Sequence, residues 1–201
     1  MSVDAVTTFL ALLAVLGLVF LVVTWSIALV ARLRGGLPDS LVPLREAFGE
    51  LALPLGFAVA LTTTLGSLYL SEVAKFPPCE LCWFQRICMY PNVALFAVAW
   101  WRRDRDVRYY VLPLVVVGAV IATYHYLLER FPDTVSSSCS TDIPCETVWV
   151  WKFHFLSIPG MAWIGFLLLG TLAVLARPRR PVGGDPGDTV DHEIDLQEAQ
   201  P

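Results

Sequence analysis

Two cysteine pairs are the groups in this sequence whose type and spacing could do chemistry. Cys79 and Cys82 form a C-x-x-C within Phe76-Pro77-Pro78-Cys79-Glu80-Leu81-Cys82-Trp83-Phe84-Gln85-Arg86. Cys139 and Cys145 bracket Ser140-Thr141-Asp142-Ile143-Pro144. A C-x-x-C spacing lets a disulfide close across one helical turn, and the thiolate is the species that attacks or leaves in exchange. Pro77 and Pro78 cannot continue a helix but suit its entrance, so the pair is expected at a helix N-terminus. Free N–H groups and the macrodipole there favour a thiolate, and Cys82 is the expected beneficiary. The second pair can meet only if its loop folds back, which Pro144 and the Ser, Thr and Asp residues favour. Other readings of the four thiols are a structural zinc site and an inert disulfide. A haem attachment would need His after the second cysteine, where Trp83 stands.

Arg86 lies four residues past Cys82, on the same helix face and about 6 Å further along the axis. An arginine inside an apolar run marks a functional site by default; the plain alternative is a long stem carrying its charge to the headgroups. Beside a reactive thiol, the cation suits a thiolate or an acceptor oxygen. Gln85 is a weaker candidate that could simply bond another helix. His125, in Tyr124-His125-Tyr126, is expected at a similar depth, either against the acceptor or within an aromatic belt. Cys88, rotated away from Cys82, reads as a small buried hydrophobe. Trp149, Trp151, Lys152, Phe153 and His154 read as an amphipathic stretch on a membrane surface, with an interfacial belt as the plainer account of its aromatics.

The elements that must position these residues are long and apolar. The chain of 201 residues is 56% hydrophobic and 16% charged, with a mean hydropathy of +0.63, against about 45–50% and about 25% in soluble domains. Five runs, roughly 5–31, 51–74, 83–101, 109–128 and 157–176, approach the roughly 20 residues that cross a bilayer. The first lacks a basic leader and reads as a retained helix rather than a signal peptide. Arg32, Arg34 and Arg45, then Arg102, Arg103, Arg105 and Arg108, then Arg177, Arg179 and Arg180 follow alternate runs. The positive-inside rule therefore puts the N-terminus outside, the C-terminus in the cytoplasm, and both cysteine pairs in an extracytoplasmic, disulfide-permissive compartment. A net charge of −4 leaves no basic face for nucleic acid. Residues 177–201, with His192, read as a disordered cytoplasmic tail.

With these residues in view, the chain resembles the DsbB/BdbC family of disulfide-bond formation proteins, the BdbC branch especially. The matching residues are Cys79-Glu80-Leu81-Cys82-Trp83-Phe84-Gln85-Arg86, Met89-Tyr90-Pro91, Tyr124-His125-Tyr126-Leu127-Leu128 and the short loop pair at 139–145. The resemblance covers about residues 51–176. It implies an all-α membrane protein: a four-helix bundle that re-oxidises an extracytoplasmic thioredoxin-like thiol oxidase and delivers electrons to a quinone, ubiquinone or menaquinone. By the same resemblance, Cys82 is the sulfur nearest the quinone and Arg86 the quinone-site arginine. Cys139 takes the mixed disulfide with the partner, and Cys145 resolves it. No resident metal is expected, and the setting is the cell inner or plasma membrane. Residues 1–50 are the departure: an extra N-terminal transmembrane helix and cytoplasmic linker ahead of the redox domain. A vitamin K epoxide reductase-like enzyme would carry its loop pair before the C-x-x-C, and here it follows. A metal-binding membrane protein using the four cysteines is the alternative from another class.

Overall fold

The computed structural model describes residues 2–36, 38, 41–104, 106–132, 139 and 143–176. The expected tail at 177–201, Arg105, Ser138 and the loop positions Ser140, Thr141 and Asp142 lie outside these described residues. The helices are α1 (Val3–Leu33), α2 (Val42–Leu68), α3 (Glu80–Met89), α4 (Pro91–Arg102), α5 (Arg108–Arg130) and α6 (Ile158–Leu175), with a π-helical turn Tyr69–Val73 continuing α2. Four of these stretches are long and apolar enough to cross a membrane: α1, α2 with its π turn, α5 and α6. The protein is thus an all-α membrane protein that includes an apolar N-terminal helix.

The run at 83–101, expected as one helix, is divided. α3 has 10 residues and α4 has 12, meeting at Tyr90 and Pro91. Pro91 has no N–H to donate, so the ladder is interrupted there. Two substitutes repair it: the Asn92 side-chain amide donates to the Cys88 carbonyl at 2.8 Å, and Val93 N–H donates to Tyr90 O at 3.1 Å. Tyr90 keeps right-handed helical angles, so the axis continues, and α3 with α4 forms one candidate third crossing by joint length, although neither piece alone is long enough. Cys88 sits in the core beside this repair, as the small apolar residue expected.

α6 is the central helix, packed against α5, α2, α1 and α3. Two aromatic side chains key it and α4 into their neighbours. Phe166 of α6 lies over Gly118 of α5, and Phe96 of α4 lies over Gly56 of α2; both rings are fully buried. Small residues let membrane helices approach closely, and contact packing rather than hydrophobicity drives their association in lipid. A Cβ at either glycine would fall 2.3 Å from the facing ring.

Gly118→Ala should therefore destabilise the bundle by about 1–3 kcal/mol through overpacking. Phe166→Leu should restore most of that loss in the double variant. Thermal unfolding in detergent checks this; a Gly118→Ala protein as stable as the parent would show that α5 and α6 yield at this contact.

Candidate active site

Cys79 is the N-cap of α3. Its extended backbone, the ordinary conformation of an N-cap residue, turns Sγ back over the first turn, where it accepts from Cys82 N–H at 3.4 Å. The two sulfurs lie 3.1 Å apart as thiols. The helix end therefore favours a thiolate at Cys79, not at Cys82 as expected from the sequence. The reason is positional: a cap side chain points at free N–H groups, whereas a residue inside the first turn points away from them. Cys79 precedes the third crossing. The hydrogen bond from the Cys82 thiol holds the Cys79 thiol well below the ordinary thiol range, His125 adds to this, and burial opposes it.

His125 organises the side of the pair nearer the loop. It is buried on α5, with Nε2 3.0 Å from the Cys145 carbonyl and 3.7 Å from Cys79 Sγ. Nδ1 lies 2.9 Å from the Gln85 side-chain nitrogen. A carbonyl can only accept, so Nε2 carries the proton, and Gln85 donates to the Nδ1 lone pair. The sequence left Gln85 as a possible helix-to-helix contact, and that is its bond. His125, in contrast, does not line the cavity described below. It stands on the opposite side of the cysteine pair.

Cys139 and Cys145 are joined in a disulfide with their Cα atoms 6.1 Å apart. Cys145 is fully buried and packs in one cluster with Cys79 and Leu128, which Cys82 and Cys139 adjoin. Both pairs therefore meet at one end of the bundle. A four-thiol metal site is not assembled, because two thiols are consumed in the disulfide. Cys79, Cys82 and His125 do bring ligand atoms within 4.8 Å of one another, but the Nε2 proton engaged with Cys145 occupies the imidazole position facing the sulfurs.

On its other side the pair opens onto a cavity of about 660 Å³ between α1, α2, α3 and α6. Cys82 lines it and Cys79 does not. Arg86 projects into the same space. Its Nε donates to Ser67 Oγ and a terminal nitrogen to the Ser67 carbonyl, both at 3.0 Å, while Tyr90 Oη donates to Ser67 Oγ at 3.3 Å. The guanidinium lies over the Trp83 ring at 5.2 Å. Among the described residues no carboxylate pairs with it; the ion pair found is Lys152–Asp4. A cavity with a cation, hydroxyls and a sulfur at one end and largely apolar walls beyond suits a ligand with a polar head and an apolar body.

Three features of this site went unread in the sequence. Ser67 anchors Arg86, and Thr63, Ser67 and Ser71 all line the cavity. Their i, i+4, i+8 spacing on an apolar helix was the available signal. Glu129 lies one turn beyond His125, its Oε2 buried and without a hydrogen-bond partner among the described residues. The stretch around Trp149 folds back rather than lying flat as an amphipathic segment. Lys152 and Leu156 exchange both backbone hydrogen bonds around Phe153 and His154, whose φ values are +53° and +65°. Trp149 stacks on Phe76 at 5.2 Å, and Arg130 lies over Trp151 at 4.9 Å. The aromatics thus brace the C-x-x-C approach and the end of α5.

Comparison with known proteins agrees with this geometry. The family described as "Disulfide bond formation protein DsbB" matches residues 49–176. "Disulfide bond formation protein C" of Bacillus subtilis (strain 168) is 44% identical over 114 residues, 56% of this chain and 83% of that protein. "Probable disulfide formation protein C 1" of Bacillus anthracis is 37% identical over 133 residues, 65% of this chain and 95% of that protein. "Probable disulfide formation protein" of Coxiella burnetii is 37% identical over 127 residues, 62% and 86% of the two chains. No solved structure matches.

Because Cys79 receives the helix N–H and the Cys82 thiol, its thiolate should persist well below the ordinary thiol pKa of about 8.5. Cys82→Ala or His125→Ala should move that titration upward. Thiolate ultraviolet absorbance against pH, in a Cys88→Ser background with the loop disulfide intact, checks the sign. An ordinary thiol titration in the parent would remove the role assigned to the cap.

Proposed function

The chain belongs to the DsbB family of disulfide bond formation proteins, and from that premise we propose a membrane protein-thiol:quinone oxidoreductase. In this reading it re-oxidises an extracytoplasmic thioredoxin-like thiol oxidase at Cys139–Cys145. It passes the electrons through Cys79–Cys82 to a quinone, ubiquinone or menaquinone. The observation that carries the proposal is the opposed placement of the C-x-x-C sulfurs: Cys79 packs with Cys145, and Cys82 faces the cavity that holds Arg86. Such a pair can take electrons on one side and release them on the other.

The exchange steps balance as follows. A partner thiolate attacks Cys139 Sγ and Cys145 leaves as a thiolate. The partner's second thiol then breaks the mixed disulfide, departs oxidised, and leaves the loop pair as two thiols. Cys145 attacks Cys79 of the oxidised C-x-x-C and displaces Cys82; attack by Cys139 on Cys145 then frees Cys79 and restores the loop disulfide. Two electrons have moved inward. The Nε2–H of His125 stabilises negative charge on Cys79 while holding the Cys145 carbonyl beside it. A bound quinone supplies the final acceptor, taking up two electrons and two protons. Arg86, anchored by Ser67, presents positive charge beside Cys82 and orients the acceptor oxygen. The arginine clusters between helices support an orientation with the N-terminus outside and both pairs extracytoplasmic, in a cell inner or plasma membrane. Residues 51–176 would form the redox domain, preceded by 1–50 and followed by the tail at 177–201.

Two experiments test this reading. Arg86→Met should slow anaerobic single-turnover quinone reduction by roughly 10²-fold, or about 2.7 kcal/mol, while partner oxidation by the loop disulfide continues. Arg86→Lys should recover part of the loss, since a point charge lacks the guanidinium fork. Equal loss of both half-reactions would make Arg86 a structural residue only. Separately, in Cys145→Ser the free Cys139 thiolate should attack the disulfide of an oxidised soluble thioredoxin-like protein and hold it in a mixed disulfide, seen as a thiol-sensitive adduct, because the loop sulfur that would displace it is gone. An adduct formed instead through Cys145 in a Cys139→Ser variant would reverse the two roles.

A further inference from the structure

The N-terminal helix α1 lies outside the family match at 49–176. The Bacillus anthracis relative is accounted for over 95% of its length by 133 residues of this chain, so little of it remains to supply a counterpart. Yet α1 is built into the bundle. Gly17 meets Leu168 of α6, where a Cβ would fall 2.5 Å from the leucine's Cδ1. Trp25 Nε1 donates to Thr171 Oγ1 at 3.1 Å, and Asp4 pairs with Lys152 at 2.5 Å, so α1 is fastened towards both ends. Its outward face, with Leu12, Val19 and Val22, is exposed and suits lipid.

The inward face has a different task. Leu10, Leu13, Gly17 and Phe20 form one wall of the cavity that holds Cys82 and Arg86. Phe20 packs on Phe48 of α2 with ring centroids 5.6 Å apart, at the end of the wall furthest from the cysteines. From Leu10 to Phe20 the helix rises about 15 Å, roughly half of a hydrocarbon core of about 30 Å. Cationic and thiol groups are confined to the Cys82–Arg86 end, and the rest of the lining is largely aliphatic and aromatic. Without α1 the gap between α2 and α6 on this side would open to lipid. With it, the gap is a channel leading to the reactive sulfur.

We propose that α1 is the tail-binding wall of the acceptor site, selecting quinones by the apolar chain that lies along Leu10, Leu13 and Phe20. This rests on the quinone reading above. It adds that the extra helix, not the four-helix domain, sets the preference for a tailed acceptor.

Equilibrium binding of radiolabelled quinones to the purified full-length chain tests it without relying on turnover. The probes are a benzoquinone and a naphthoquinone, each with a decyl tail and each without. The parent should bind the tailed form more tightly, and Leu13→Trp, which fills the channel, should reduce that preference by about tenfold or more. Leu13→Ala, a milder change that widens the channel, should reduce it in the same direction. Val19→Trp, on the lipid face, should keep the full preference. An unchanged preference in both Leu13 variants overturns the proposal, as does an equal loss in Val19→Trp, which would make α1 a packing element only. A parent that binds tailed and tail-less quinones alike overturns it while leaving the acceptor reading standing. A parent that binds no quinone overturns that reading as well.

Discussion

His125 donates from Nε2 to the Cys145 carbonyl and accepts at Nδ1 from Gln85, so one side chain of α5 ties the disulfide loop to α3. The network is buried, and a buried polar group left without its partner costs about 1–3 kcal/mol. Its members therefore stand or fall together. Once it forms, Cys145 is held against Cys79. The same imidazole N–H faces the Cys79 sulfur, so the residue that fixes the geometry also adds a positive dipole, beside the Cys82 N–H, to the thiol at the helix cap.

The opposed orientation of Cys79 and Cys82 follows from that cap. A residue before the first turn points back along the helix axis, and one three positions later points outward from its side. Prolines ahead of Cys79 keep the helix from beginning earlier. Placed between a polar cluster and an apolar cavity, such a pair has its two sulfurs in different surroundings. Arg86 belongs to the second of these. A guanidinium taken from water without a carboxylate keeps its charge available, and the hydroxyl and carbonyl of Ser67 satisfy its N–H groups without neutralising it. The cation is thereby positioned, not cancelled.

The bundle makes this possible through two small-residue contacts and one repaired break. Gly118 and Gly56 admit Phe166 and Phe96, drawing α5 to α6 and α2 to α4. Drawing α5 to α6 also fixes where His125 stands relative to the loop that returns into α6. Pro91 interrupts the third crossing one turn past Arg86, and Asn92 restores a donor to the Cys88 carbonyl. The crossing remains continuous although its hydrogen-bond ladder is not.

The sequence by itself determined the all-helical membrane architecture, because roughly 20-residue apolar runs have few other solutions in lipid. It also marked the C-x-x-C at a helix entrance, since Pro77 and Pro78 act locally, and it put Arg86 and Cys82 on one face, since helical periodicity is local too. What it left undecided depended on contacts between segments far apart in the chain. The side of the pair on which His125 stands is decided by how α5 packs on α6. Ser67 became visible only when α2 was laid against α3, 19 residues later in the chain. The choice of Cys79 over Cys82 for the helix N–H turned on where the cap falls: α3 begins at Glu80, three positions before the expected run at 83–101. The role of α1 as a cavity wall was equally out of reach: its apolar residues look alike along the chain, and only docking through Gly17 separates the face that meets lipid from the face that meets the cavity.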